Sequence, residues 1–451
     1  MLTDGVLLIA ESSIPHPVTD SLFGGRLAPT AEEIGPLNNY LLVIVDARQS
    51  SSAFGEGSLA QKALRAGVAL LILSPAEGQL APLATVIGAV PDAPAQAVFV
   101  CRNGNAGEDN RFEATVLACD PIRGERGFAD NKDSEAAPQA KAEGLVADQP
   151  SCVCREDKTS YQETVVGSFT TLIQSRLSTG TSYAPTAVAL PDGLKFFRSQ
   201  YNFMSGFTSR ATGDDGVDYK NGPGSLAGSL IVWGFLDQTA TSNAQYLVVE
   251  ASYNLNPGSL AQYDDEGRGF ANTLLVSNIR PLPSEFAAIQ HIPTNGVNSW
   301  DETLKLDINY KDPLSGSYQI YPFTANVNQT IVDWSVQNQS AGPRLGSQWF
   351  MNAPADGADL LNTYTNAFTT WGGVKSLPSA STGTLAVREA SAWITKTVMT
   401  GRVGISTPVD MQSTIFYSFR CGLLVCYRIA VLARVYRFGQ SLSVDFSAIQ
   451  P

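Results

Sequence analysis

The sequence predicts an α+β multidomain chain, with a small N-terminal α/β domain over residues 1–122 followed by an all-β sandwich over 152–451. Three observations carry this. At 451 residues, with 44% hydrophobic and 16% charged residues, the chain is too long for one ordinary core and too apolar to be disordered. Up to residue 122, short apolar runs alternate with a helix-like one. Beyond residue 151, strand-length segments follow one another between clusters of Gly, Asn, Pro, Asp and Ser.

In chain order, LLVIVDA (Leu41–Ala47) is an apolar run of strand length. SLAQKALRAG (Ser58–Gly67) is helix-like, with Leu59, Ala63 and Ala66 on one face and Gly67 as a stop. VALLILS (Val68–Ser74) and AQAVFVC (Ala95–Cys101) are further buried strands, and strand, helix, strand in this order predicts a parallel α/β unit. The stretch GEGSLAQK (Gly55–Lys62) lacks the GxxxxGK(S/T) spacing of a phosphate loop and reads as a βα turn.

Residues 123–151 are rich in Ala, Glu, Asp, Gly and Gln and nearly free of large apolar side chains. Such a stretch cannot offset its ordering entropy by burial and is expected to be a solvated linker. It carries Arg123, Arg126, Lys132 and Lys141, candidate sites for an activating protease, because nicking concentrates in exposed linkers.

Helix signals then largely vanish. SLAGSLIVWGFLDQ, NAQYLVVEASYNL, FANTLLVSNI, LAVREASAWITKTVM, TIFYSFRCGLLVCYRIAVLARVYRF and SLSVDFSA read as strands between turn clusters such as GDDG, NGPG and NPGS. In their midst, residues 300–339 form a two-sided hairpin. Leu304, Leu306, Ile308 and Tyr310 alternate with Lys305, Asp307, Asn309 and Lys311; DPLSGS turns the chain; Tyr321, Phe323, Ala325 and Val327 alternate with small or polar residues on the return. This pattern fits an ordinary sandwich hairpin with its apolar face on the core. It equally fits a membrane-crossing hairpin, apolar side to lipid, provided several copies close into a barrel with no free edge.

The chemistry of an enzyme is sparse, and no catalytic residue, metal site or cofactor is expected. The two histidines, His16 in SIPHPV and His291 in AAIQHIPT, lie in different halves and read as a surface-loop residue and a strand end. No GxSxG elbow occurs. The carboxylate pairs Asp214–Asp215 and Asp264–Asp265 sit in Gly-rich turns, where solvated turn chemistry is the ordinary role. Six cysteines, with Cys152-x-Cys154 and Cys421-x4-Cys426 closely spaced, complete no zinc set. A net charge of −12 argues against nucleic acid and against simple docking on anionic lipid, leaving a neutral lipid or glycan surface open. No apolar run is long enough for a transmembrane helix, and MLTDGVLLIAESS lacks the basic region and long apolar core of a signal peptide.

The order of segments from Tyr183 onward resembles the leukocidin and haemolysin family of β-barrel pore-forming toxins, in layout its Vibrio-type cytolysin precursors. SLIVWGFLDQTATSNAQYLVVEASY resembles the paired strands that open that family's sandwich, and GFANTLLVSNIRPLPSEFAAIQHIPTNGVN the segment entering its stem. TIVDWSVQNQS (Thr330–Ser340) is similar to the stem's exit strand, PRLGSQWFMN (Pro343–Asn352) to the strand entering the rim, and SLSVDFSAIQP (Ser441–Pro451) to the closing strand. The early stretch LLVIVDARQSSSAFGEGSLAQKALRAG resembles part of the cleaved pro-domain of the Vibrio-type members.

The resemblance implies a cytolysin-like sandwich with a prestem near 300–339 and a rim near 343–378. It implies a secreted, soluble precursor that is cleaved by a protease, self-associates into a ring and inserts one hairpin per subunit into a target membrane carrying neutral lipid, a sterol or a glycan receptor. The eight alternating residues Leu304 to Tyr310 and Tyr321 to Val327 would face lipid. In the rim, Trp349, Phe350, Tyr364, Phe368 and Trp371 would touch the interface, where aromatic rings are favoured. The chain departs from the family in its short tip and in the absence of lectin domains after the closing strand. Two other readings stand beside this one: a jelly-roll or sandwich subunit of a capsid-like assembly, and an extracellular glycan-binding β-sandwich.

Overall fold

The computed structural model describes residues 6–9, 16–23, 36–37, 40–48, 54–102, 112–124, 152–153, 160–179, 190–212, 218–239, 243–258, 267–352, 361–365, 370–374, 377–420 and 427–451. Residues up to 124 form β1 (Val6–Ile9), α1 (Pro17–Phe23), β2 (Leu42–Asp46), α2 (Leu59–Arg65), β3 (Ala69–Leu73), α3 (Ala84–Ile87), β4 (Ala89–Pro91), β5 (Ala95–Arg102), β6 (Phe112–Ala118) and β7 (Asp120–Gly124). After β8 (Cys152–Val153) comes α4 (Ser160–Thr179). Strands then dominate: β9 (Phe196–Phe207), β10 (Arg210–Thr212), β11 (Asp218–Lys220), β12 (Gly224–Gln238), β13 (Asn243–Asn256), β14 (Gly267–Ser277), β15 (Arg280–Pro281) and β16 (Phe286–Ile292). The long hairpin is β17 (Gly296–Lys311) and β18 (Tyr318–Asn338). There follow β19 (Ser347–Met351), β20 (Leu361–Thr365), β21 (Thr370–Val374), α5 (Ser379–Thr382), β22 (Leu385–Thr395), β23 (Arg402–Ser406), β24 (Val409–Arg420), β25 (Tyr427–Phe438) and β26 (Ser441–Asp445).

These strands make a ten-stranded sheet in the order β1-β2-β3-β5-β6-β9-β12-β13-β22-β16 and an eight-stranded sheet in the order β17-β18-β19-β14-β24-β25-β7-β8. A four-stranded sheet, β15-β23-β26-β4, lies with them. The main core is formed by side chains of all three: Tyr201, Leu230 and Trp393 of the first, Trp349 and Met411 of the second, Val403 and Val444 of the third. The fold is thus predominantly β, with several sheets, as its turn-punctuated sequence predicts.

The N-terminal residues are woven into this architecture. Strands β1, β2 and β3 pair in parallel, as the strand–helix–strand order predicts. Strand β5, the third buried strand, runs antiparallel to β3, and the chain between them passes through β4 of the four-stranded sheet. Strand β6 then lies parallel to β9, joining the two halves in one continuous sheet. The boundary predicted at residue 122 therefore coincides with no break between sheets. Strand β7 extends across it, with Arg123 paired to Tyr436 of β25, so Arg123 belongs to a ladder and not to the predicted linker. The other proposed cleavage residues, Arg126, Lys132 and Lys141, lie outside the described residues.

Helix α4 was not anticipated. Its sequence is rich in Thr, Ser and Val, all weak helix formers. Burial decides its structure: Val165, Val166, Phe169 and Ile173 form one apolar stripe against Phe99 and Leu117, beside Leu22 and Phe23 of α1. Arg176 in its last turn pairs with Glu113 of β6 at 2.9 Å, and Glu113 also accepts from Asn202 Nδ2 at 2.7 Å.

Candidate functional site

The alternation read between Leu304 and Val327 becomes a ladder running without irregularity from Ser299–Thr330 to Lys311–Tyr318. One face of the hairpin lies on the outside of the ten-stranded sheet. There Leu304, Leu306, Ile308, Phe323, Ala325 and Val327 are buried with Trp233, Phe235, Val248, Ile292, Ala390 and Ala392, while Tyr310 and Tyr321 pack at the margin, half-buried. Phe323 meets the rings of Trp233 and Phe235 at centroid distances of 5.5 and 5.1 Å. All eight residues predicted for the stripe are thus brought onto one surface. Exposing the six buried ones to water would cost on the order of 10 kcal/mol. The opposite face is exposed and mostly polar, with Lys305, Asp307, Thr324, Asn326 and Asn328, and near the tip it also carries Tyr318 and Ile320.

The edges of the hairpin differ. Among the described residues, β18 between Tyr318 and Thr330 pairs with β17 alone. The outer edge of β17 is instead met by side chains of the sandwich. The Asn309 backbone N–H and Nδ2 donate to Oδ2 of Asp237 at 3.1 and 2.9 Å. The Lys311 N–H donates to Oε1 of Gln238 at 2.8 Å, and the Lys305 N–H to Oε1 of Gln290 at 3.3 Å. Asp237, although buried, also caps the Thr239 N–H at 3.1 Å. Such side-chain capping blocks an edge that would otherwise template another strand. Sequence reasoning missed these three residues, because only the packing shows which turn-adjacent polar side chains meet the hairpin.

At its root the hairpin leaves the sandwich through a register shift. Val297 pairs with Ser335, but Ser299 pairs with Thr330, so residues 331–334 have no partner in β17, although Ile331 and Trp334 are buried in the main core. Asn298 and Asp333 take φ values of 63° and 62°, a left-handed region that Asn and Asp tolerate better than most residues. The Asp333 N–H donates to Asn298 Oδ1 at 2.8 Å across the gap. Beyond it, Trp334–Asn338 pair with β19 as part of the eight-stranded sheet. The tip, Asp312–Ser317, is closed by hydrogen bonds between the Asp312 N–H and the Ser317 carbonyl at 3.0 Å and between the Gly316 N–H and the Asp312 carbonyl at 2.8 Å. It holds Leu314 93% exposed.

The rim residues fare differently. Trp349, expected at the membrane interface, is fully buried in the main core and stacks edge-on against Trp300 at 5.0 Å, because β19 is an interior strand whose alternation turns Trp349 inward. Phe350, its neighbour on the opposite face, is half-buried. Tyr364 and Trp371 are paired across the two-stranded ladder of β20 and β21. Phe368 lies outside the described residues.

His291 lies at the end of strand β16, as read, whereas His16 is not where the sequence placed it. His16 is buried, not on a surface loop. Its Nε2–H donates to the Gln96 carbonyl at 3.1 Å and its Nδ1 accepts the Val18 N–H at 3.2 Å, and burial lowers its pKa to about 4. His291 sits inside the sandwich between two serine hydroxyls, in a cluster with Glu389. The carboxylate pairs Asp214–Asp215 and Asp264–Asp265 lie outside the described residues. Among the described residues no cluster of His, Cys, Asp and Glu has the makings of a metal site, and no helix is long and apolar enough to cross a membrane. The latter says nothing of strands.

No family model matches the chain, and no curated protein does. Among solved structures it is similar to one titled Clostridium perfringens delta-toxin, at 9% identity and a TM-score of 0.34, covering 54% of this chain and 90% of that one. It is similar also to one titled Pore forming protein, at 11% identity and a TM-score of 0.32, covering 55% of this chain and 92% of the other. At these scores the likeness carries no argument about family, and the function has to be argued from the hairpin.

Proposed function

We propose that this chain is a pore-forming protein precursor that associates on a membrane into a ring and contributes one hairpin per subunit to a transmembrane β-barrel. The observation that supports this reading is the storage of the hairpin. A long, regular, two-sided ladder lies on the outer face of a sandwich whose interior is already closed by other strands. Release of the part beyond Trp300 would uncover an outer surface and leave the main core, to which Trp300 belongs, in place. The ladder from Ser299 to Lys311 extends about 40 Å at roughly 3.3 Å per residue, enough for a tilted strand to cross the apolar band of a bilayer. Its apolar stripe then exchanges the sandwich surface for lipid, its polar face lines a lumen, and the free β18 edge of one subunit takes the uncapped β17 edge of the next. Such head-to-tail contacts close into rings.

On this reading no catalytic residue, metal or cofactor is required, and nucleic acid is no partner. The target surface is neutral lipid with a sterol or glycan receptor, touched through the 343–378 segment by Phe350, Tyr364, Phe368 and Trp371. The chain is secreted as a soluble precursor and primed by a protease acting between residues 125 and 151. The leukocidin and haemolysin resemblance, with its Vibrio-type layout, belongs to this proposal.

Dye release from neutral, cholesterol-containing liposomes, with and without mild trypsin treatment, tests it. Release is expected after cleavage. It should be abolished when Ala325→Cys and Ala392→Cys tie the hairpin to the sandwich and regained on reduction, with the unsubstituted chain under reductant as control. No release under any condition, with particles forming in solution instead, would favour a structural assembly.

A further inference from the structure

Inside the sandwich, where it borders the root of the hairpin, the two large sheets are joined by a polar cluster that the proposed function does not use. His291 of β16 lies 2.8 Å from Ser391 Oγ of β22 through Nδ1 and 2.8 Å from Ser347 Oγ of β19 through Nε2. Glu389 of β22 accepts from Ser277 Oγ of β14 at 2.6 Å and from the Tyr253 hydroxyl of β13 at 3.4 Å, and its Oε2 lies 3.9 Å from His291 Nε2. All six side chains are buried. Strands β13, β16 and β22 belong to the ten-stranded sheet, β14 and β19 to the eight-stranded one. Strand β16 feeds into β17, and β19 pairs with the base of β18, so the cluster ties together the strands from which both legs of the hairpin spring.

We propose that Glu389, with His291, is a proton-operated lock between the two sheets, closed while the cluster is neutral and loosened when the Glu389 carboxyl ionises. The geometry is suited to it. With a neutral His291 protonated on Nε2, Nε2–H donates to Ser347, Ser391 donates to Nδ1 and Ser277 donates to Glu389 Oε2, while the proton of a neutral Glu389 carboxyl has the Tyr253 hydroxyl oxygen 3.4 Å from Oε1 as its acceptor. A buried carboxylate held by hydroxyls alone, with no cation beside it, remains costly. Among the described residues, the titratable groups meeting there are Tyr253, His291 and Glu389, and from β14 and β19 serine hydroxyls face them. Burial raises the Glu389 pKa from the ordinary 4.5 to about 7, against the opposing pull of its hydroxyl partners, and lowers that of His291 from 6.5 to about 4. A carboxyl raised in the closed state favours closure at low pH, and that preference is lost as pH climbs from 4.5 through 7.

The cluster and its titration do not require the chain to form a pore. The test uses the full chain carrying Ser335→Cys, a buried position at the root, with Ser315→Cys at the exposed tip as a separate control for thiol ionisation. Peptide-resolved thiol labelling is followed between pH 6 and 8. The root-to-tip ratio of labelling rates is expected to rise about tenfold across this range. The rise should vanish in Glu389→Gln, which mimics the protonated acid. In Ser277→Ala, which removes a donor to the carboxylate, its midpoint should move to higher pH. A flat ratio in the parent, or a tenfold rise surviving in Glu389→Gln, would overturn the lock whether or not liposomes leak.

Discussion

Asp237 is the side chain on which the stored hairpin leans most directly. It is buried, and it accepts both donors of Asn309 through a single oxygen. Asp237→Ala would leave those donors without their partner at a capped edge. It is expected to cost about 2 kcal/mol in urea unfolding, given that hydrogen bonds to charged groups contribute roughly 1.5–3 kcal/mol. The same variant should label faster at a thiol introduced by Ala325→Cys, under the hairpin. An unchanged labelling rate would show that the cap does not hold the strand.

His291 makes a second prediction at this scale. Its pKa is lowered by burial from 6.5 to about 4. The folded chain therefore binds that proton less well than the unfolded one. The corresponding stability is present above pH 6.5 and lost as pH falls toward 4, up to about 3 kcal/mol for a shift of this size. Glu389, shifted the opposite way, masks much of this loss. The urea midpoint of Glu389→Gln should thus fall between pH 6.5 and 4.5, and adding His291→Gln should flatten that fall.

At the scale of elements, helix α4 carries one ion pair beside its apolar stripe. Arg176→Ala would leave Glu113, which is 3% exposed, hydrogen-bonded to Asn202 but without its cation. Losing one member of a buried pair costs about 3 kcal/mol or more. The expected result is a clear drop in thermal midpoint, and Glu113→Gln in the same chain should restore part of it. The root of the hairpin is the other element with a definite local requirement. Asn298→Val would place a β-branched residue at φ 63° and remove the acceptor for Asp333 N–H. It should destabilise the folded chain by about 1–2 kcal/mol in urea unfolding, whereas Asn298→Gly should cost less.

Over the whole molecule, the N-terminal residues matter because they supply strands to all three main sheets. Strand β6 pairs with β9, β4 with β26 and β7 with β25. A nick between residues 125 and 151 would cut the chain without breaking these ladders. The two fragments are therefore expected to co-elute in size-exclusion chromatography under native conditions and to separate in denaturant. If the N-terminal fragment instead leaves on nicking alone, the β9 edge is being uncovered, and activation would follow from exposing that edge.

The sequence by itself determined the β-rich class, through strand-length apolar segments between turn clusters, and the two-sided hairpin, whose alternation from Leu304 to Val327 fixes which side chains share a face whatever that face meets. It determined, too, the parallel pairing of β2 and β3. Tertiary structure decided what each face meets. Alternation assigns Trp349 to one side of β19 but cannot say whether that side looks to lipid or to Trp300. A Thr- and Val-rich run such as α4 has weak local preference, so long-range burial chooses its form. Residues far apart in the chain, such as His291, Ser347 and Glu389, or Asp237 and Asn309, carry no mutual signal in sequence, because the sheet ladders that bring them together are long-range contacts. The same holds for the parallel seam between β6 and β9, which makes one sheet of two stretches that composition separates.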